Sequence, residues 1–176
     1  VASVKRSIDS RSKIIFVSSP NNPTGNIAST EQVIALLETG LMVVVDEAYY
    51  EFCSETAVDL LDGHENLVIL RTFSKWAGLA GLRVGYGMMS PKMVEHLIDI
   101  KSPFNVNTAG EEALLASLED TDGLMENVQL LIKERDRMYV ALEDMEGVKP
   151  YPSGGNYVLC KFGLGRGVEI LDGLAT

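Results

Sequence analysis

Positive charge is scarce in this chain of 176 residues: 15 Lys+Arg stand against 25 Asp+Glu, a net charge of −10. With no Lys/Arg-rich stripe, a broad nucleic-acid-binding face is excluded, although a small local anion site is not. Cysteine is nearly absent. Cys53 and Cys160 are far apart in sequence and match no zinc or redox spacing. They read as free buried thiols of a reducing compartment, which implies a cytoplasmic protein. The two histidines, His64 in a loop and His96 on a helix, have no ligand-spaced partner, so no metal site is expected. Long apolar runs are missing too. Residues 41–45 form one of the longest, far short of the roughly 20 needed to cross a bilayer, and residues 1–12 are charged and lack a signal-peptide core. Neither internal repeats nor low-complexity tracts occur. What remains is ordinary core material, 46% hydrophobic and 7% aromatic, enough for a folded soluble domain rather than a disordered chain. The chain opens on Val1 and closes a few residues into an apparent helix, so both ends read as cuts.

The apolar, β-branched run at residues 14–17 ends in Ser18-Ser19-Pro20, the pattern of a strand buried on both faces. A turn, Ser19-Pro20-Asn21-Asn22-Pro23-Thr24-Gly25, leads to Ser29-Thr30-Glu31-Gln32. There a hydroxyl can cap a helix running to about residue 38, and Gly40 stops it. Two more buried strands follow. Residues 41–45 end in Asp46-Glu47, and residues 67–70 end in Arg71-Thr72. Strand, helix, strand alternation implies an α/β fold with a mainly parallel sheet flanked by helices, whose ligands bind beyond the carboxyl ends of the strands. Residues 82–88 predict a further strand, and Pro91 opens a helix that Pro103 closes. From residue 107 to 145 no proline occurs and apolar residues recur at three and four. Two helices broken near residues 120–123 are expected, with their Leu/Met faces and the Met88-Met89 pair in the core. Two short strands around Ser153-Gly154-Gly155 then mark the start of a smaller α/β domain. The expected division is residues 1–120, a connecting helix over 121–146, and the small domain from 147 to 176.

Taken singly, the polar motifs at the strand ends are unremarkable. Asn-Pro-Thr-Gly is a common tight turn, Asp46 and Glu47 can be a surface acid pair, a lysine after a strand is usually solvated, and Arg83 can simply meet an acid. Glu47 reads as a loop holder and Asn156 as a turn residue. In this order, each at the end of a predicted strand, they stop looking independent. Three segments carry the pattern: Ser19-Pro20-Asn21-Asn22-Pro23-Thr24-Gly25; Asp46-Glu47-Ala48-Tyr49-Tyr50-Glu51-Phe52; and Arg71-Thr72-Phe73-Ser74-Lys75 through Gly78-Leu79-Ala80-Gly81-Leu82-Arg83-Val84-Gly85-Tyr86. Together they resemble the fold type I pyridoxal phosphate (PLP) aminotransferases of class I/II, most closely the histidinol-phosphate branch. The resemblance runs from residue 12 to about residue 162.

That resemblance implies a PLP-dependent transferase large domain, of which residues 1–120 would be the second half. Lys75 is implied as the residue whose amine joins the cofactor aldehyde and then serves as general base at the substrate Cα. Asp46 is implied beside the pyridine nitrogen, whose charged form a carboxylate favours. Tyr49 and Asn22 are implied as donors to the phenolic oxygen, and Thr72, Ser74 and Arg83 as phosphate ligands. Further phosphate contacts would lie upstream of Val1, and the arginine for the substrate carboxylate beyond Thr176. Trp76 stands where many relatives carry a small residue, a packing difference next to the lysine. The implied activity is transfer of an amino group from histidinol phosphate to 2-oxoglutarate, giving imidazole acetol phosphate and glutamate, a step of histidine biosynthesis. The implied partners are therefore a small amino donor and a 2-oxo acid, in a homodimer when full length, with no nucleic acid or membrane. A threonine-phosphate decarboxylase, an aromatic aminotransferase or a non-catalytic PLP-binding sensor would use the same frame. The 176 residues by themselves are expected not to transaminate.

Overall fold

The structure, a computed structural model, describes residues 1–163 and 165–175. Four strands, β1 (Ile14–Ser18), β2 (Met42–Asp46), β3 (Leu67–Thr72) and β4 (Gly85–Met89), form one sheet in the order β1-β2-β3-β4. The first three are parallel and in step, Ser18 beside Asp46 and Asp46 beside Leu70, so their carboxyl ends open on one edge. β4 runs antiparallel to β3, because the connection between them contains only a 3₁₀ turn at Ala80–Leu82 and no crossover helix.

After a short helix α1 (Ala2–Ser7), which carries no helix signal in the sequence analysis, α2 (Thr30–Leu37) covers one face of the sheet. Its start is the expected capping box: the Ser29 side chain accepts from the Gln32 N–H, and the Gln32 side chain accepts from the Ser29 N–H. Val33, Leu36 and Leu37 of α2 then pack on Val43, Val45, Leu67 and Ile69, all fully buried or nearly so. Truncating a residue such as Leu67 to alanine would cost about 2–5 kcal/mol.

The opposite face differs from expectation. Ile14 and Phe16 are 52% and 70% exposed, although their strand was read as buried on both faces. Side chains alternate along a strand. Ile15 and Val17 therefore pack towards α2, which leaves Ile14 and Phe16 on the other face at the edge of the sheet.

Beyond β4 come α3 (Pro91–Ile100), capped by Ser90, α4 (Thr108–Glu119), capped by Asn107, and α5 (Thr121–Glu143). The break between the last two falls at Asp120, inside the expected window. Contrary to expectation, their apolar faces are core only in part: Leu114 and Leu124 pack on the Phe73, Ala77 and Val84 cluster, Met125 and Ile132 join Val128 against Tyr49 and Phe52, and Met88 packs against the core under α2. Val128 is buried, but Leu118 and Leu131 stand about half exposed, and Met88 and Met89 are half-buried. A three-and-four repeat marks a face that packs on something; it does not say whether the same chain supplies the partner. β5 (Val148–Tyr151) and β6 (Leu159–Phe162) pair as an antiparallel ribbon, as the sequence suggested, and α6 (Arg166–Leu174) follows. No helix among the described residues is long and apolar enough to cross a membrane.

Candidate active site

The loop after β1 is pinned at both ends. Ser19 is buried, its N–H bonded to the Asp46 carbonyl and its Oγ accepting from the Ala28 N–H at 2.9 Å. Within the loop the Asn21 N–H donates to the Asn26 carbonyl at 2.8 Å, and the Asn21 carbonyl accepts from the Gly25 N–H at 2.6 Å. The Ser19-Pro20 and Asn22-Pro23 peptides are both cis. Asn22 lies near the end of β2, where its Nδ2 donates to the Tyr49 hydroxyl at 2.9 Å.

β2 ends at Asp46, half-buried, whose Oδ1 accepts from the Ala48 N–H at 3.0 Å. Beyond β3, the Thr72 hydroxyl accepts from the Ser74 N–H at 3.0 Å and lies 2.9 Å from Ser74 Oγ. Two adjacent hydroxyls are thus held in register by the backbone. Lys75 follows, exposed, its Nζ 5.4 Å from the centroid of the Tyr49 ring. Arg83 sits in the left-handed region at φ 60 and donates to the Ala80 carbonyl at 2.9 Å. Among the described residues neither Lys75 nor Arg83 has an ion-pair partner.

Asp46, Thr72, Ser74, Lys75, Arg83 and Tyr86 line a cavity of about 590 Å³. Five of the seven site residues read from the sequence are therefore brought together directly. Asn22 and Tyr49 do not line this cavity; they are linked to it through the approach of Lys75 to the Tyr49 ring. A carboxylate, an amine, two hydroxyls and an unpaired guanidinium around one cleft can bind an anion at one end and exchange protons at the other.

Beside this cleft lies a group of charges that no sequence motif brings together. Glu47, 1% exposed, accepts from Thr56 Oγ1, the Ala57 N–H at 2.7 Å and the Arg71 guanidinium at 2.9 Å. It holds the 54–57 loop, as expected of a loop holder. The Arg71 guanidinium also stacks 3.4 Å from the centroid of the Tyr50 ring. Glu51 is buried with its Oε2 unpartnered. Burial, above all, pushes its carboxyl up to about 7. The register could have disclosed the ion pair: Asp46 lies beside Leu70, so Glu47 and Arg71 come next to each other. Sequence alone does not give that register.

A second cavity, of about 1090 Å³, lies between the loop after β1 and the β5–β6 ribbon. Cys53 and Cys160, distant in sequence, both line it; they are free thiols, half-buried rather than buried, and burial raises the pKa of each. Arg135 of α5 bridges the same junction, donating to the Phe52 and Gly155 carbonyls at 3.4 and 3.0 Å.

A mainly parallel sheet thus carries a lysine, an aspartate, two hydroxyls and a guanidinium around one cleft beyond the carboxyl ends of its strands. The sequence profile described as "Aminotransferase class I and II" matches residues 1–165, and the chain belongs to that family. It is 44% identical over 170 residues to the histidinol-phosphate aminotransferase of Dehalococcoides mccartyi (strain CBDB1), a match covering 97% of this chain and 48% of that protein. The crystal structure of histidinol-phosphate aminotransferase from Sinorhizobium meliloti in complex with pyridoxal-5'-phosphate matches with a TM-score of 0.80 at 30% identity, over 92% of this chain and 45% of that one. The L-threonine-O-3-phosphate decarboxylase of Porphyromonas gingivalis matches with a TM-score of 0.75 at 25% identity, over 89% and 50%. The chain spans about half the length of the relatives it matches.

Proposed function

We propose that this chain supplies the cofactor-anchoring part of a PLP-dependent aminotransferase that moves an amino group from histidinol phosphate to 2-oxoglutarate. The observation that carries the reading is the unpaired pair of cations, Lys75 and Arg83, in one cleft with Asp46, Thr72 and Ser74. In a chain of net charge −10, cations without acidic partners suit an anionic ligand. The donor set fits PLP: hydroxyls and a guanidinium for a phosphate, a carboxylate for a ring nitrogen, an amine for an aldehyde.

When bound, PLP would supply an aldehyde for amine exchange and a ring that accepts electrons from the substrate Cα. The residues of the chain do the rest. Arg83, Thr72 and Ser74 bind the phosphate. Asp46 holds a proton on the ring nitrogen. Asn22 and Tyr49, already bonded to each other, both direct donors to the phenolic oxygen. Lys75 Nζ, once free, takes the proton from the substrate Cα and returns it. On this reading residues 1–120 belong to the large domain, 121–146 connect, and 147–176 begin the small domain of a cytoplasmic homodimer.

The identity to the Dehalococcoides enzyme favours histidinol phosphate over the decarboxylase alternative. The full-length protein should form glutamate from 2-oxoglutarate with histidinol phosphate, and much more slowly with phenylalanine or threonine phosphate. Absence of turnover with histidinol phosphate would overturn the substrate assignment.

A further inference from the structure

One side chain from the loop between β5 and β6 touches Tyr49 and the residue immediately before Asn22. Tyr157 stands edge-on to Tyr49, ring centroids 5.1 Å apart at 82°. Its hydroxyl donates to the Asn21 carbonyl at 2.8 Å, across 136 residues of sequence. That carbonyl already accepts from the Gly25 N–H, so the tyrosine braces the turn immediately before Asn22. Two glycines make the approach possible. A Cβ on Gly25, at φ +76, would lie 2.5 Å from Ser153 Cα, and a Cβ on Gly155 would lie 2.4 Å from Tyr157 Cε1. The Gly154 N–H donates to the Gly25 carbonyl at 2.9 Å, and Arg135 ties the Gly155 carbonyl to Phe52.

We propose that Tyr157 is a positioning residue: from the β5–β6 loop its ring fixes Tyr49, and its hydroxyl fixes the Asn21 peptide, so that Asn22 and Tyr49 meet the cofactor oxygen together. The inference rests on the reading of Asn22 and Tyr49 as donors to that oxygen. Asn22 is exposed on a loop and needs bracing, whereas a merely space-filling aromatic would not need a bond to that turn. Burial, and secondarily the neighbouring Tyr49, push the Tyr157 hydroxyl up to about 12, so it stays a neutral donor throughout the working pH range.

The test uses the full-length protein and its Tyr157→Phe variant, which keeps the ring and loses the donor. PLP dissociation, followed by absorbance, should be roughly three- to tenfold weaker in the variant, the worth of one hydrogen bond. The pH midpoint of the bound-cofactor absorbance should move upward, because donors on the phenolic oxygen withdraw electron density from the linked nitrogen. A purely structural tyrosine would leave that midpoint in place. Gly155→Ala, which displaces the ring without removing the hydroxyl, should produce the same spectral shift. If both variants bind PLP and titrate like the parent, the inference is overturned. A parent that shows no cofactor absorbance overturns the site reading, and this inference with it.

Discussion

Arg71 and Arg83 are twelve residues apart, line the same cleft, and are used in opposite ways. Arg71, 11% exposed in its side chain, is spent inside the protein: it pairs with Glu47, reaches Thr56 and stacks on Tyr50. Arg83 is exposed, has no ion-pair partner among the described residues, and occupies a backbone conformation that non-glycine residues seldom adopt. The first cation is satisfied and holds a loop under the site. The second faces the cleft with a single hydrogen bond, to the Ala80 carbonyl, and on the proposed reading its charge partner is the cofactor phosphate. Charge near an active cleft therefore divides into scaffold and ligand site, and the partner list tells them apart where the residue type does not.

The comparison breaks most completely at Lys75, the other cation lining the cleft that has no ion-pair partner among the described residues. Lys75→Ala in the full-length protein should abolish turnover and the absorbance of the linked cofactor, with the fold intact. Retention of either would remove Lys75 from its assigned role. Next comes the satisfied side. Glu47→Ala leaves the Arg71 guanidinium and the Ala57 N–H without their carboxylate, and breaking a buried pair in this way costs about 3–5 kcal/mol. Denaturant unfolding of the cofactor-free protein should show that loss. A change below about 1 kcal/mol would make the pair equivalent to an exposed one.

A smaller effect is expected at Glu51, which feels the same arginine. Burial above all pushes its carboxyl from an ordinary 4.5 up to about 7 in the folded protein, with Arg71 opposing and Glu47 adding to the rise. Between those values the folded state holds a proton that the unfolded state has released. Its contribution is thus fully present below about pH 4.5, declines as pH rises towards 7, and is lost above it. Glu51→Gln should flatten that decline and raise stability at pH 8 by on the order of 1–3 kcal/mol. A pH profile parallel to that of the parent would contradict the assignment.

What could be read in advance follows the same division. The strands were legible from short apolar runs, and α2 from Ser29 and Gln32, because those signals are local. That Asp46, Thr72, Ser74, Lys75 and Arg83 share one cleft was legible through the resemblance, which rests on the order of their motifs along the chain, a sequence property. The Glu47–Arg71 pair depends on strand register, and the contact of Tyr157 with Asn21 spans 136 residues; neither leaves a local trace. Phe16 and the outer part of the α4–α5 faces, Leu118 and Leu131, stand exposed for a related reason. Periodicity gives the direction of an apolar face, while its cover depends on packing that no short window contains.

The smallest predicted effect is the sharpest on the comparison itself. At φ 60 an arginine pays roughly 1 kcal/mol in steric strain that glycine avoids, while glycine adds about 0.5–1 kcal/mol of unfolded-chain entropy. For Arg83→Gly these terms nearly cancel, so the unfolding midpoint of the cofactor-free protein should be almost unchanged. PLP retention, by contrast, should fall roughly tenfold, as expected for a charge-assisted contact to phosphate. Arg83→Lys should recover only part of it, because an ammonium provides the charge without the fork. If Arg83→Gly destabilised the fold as Glu47→Ala is expected to, while leaving PLP retention intact, Arg83 would belong with Arg71 among the structural charges, and the anion site would have to be sought elsewhere in the cleft.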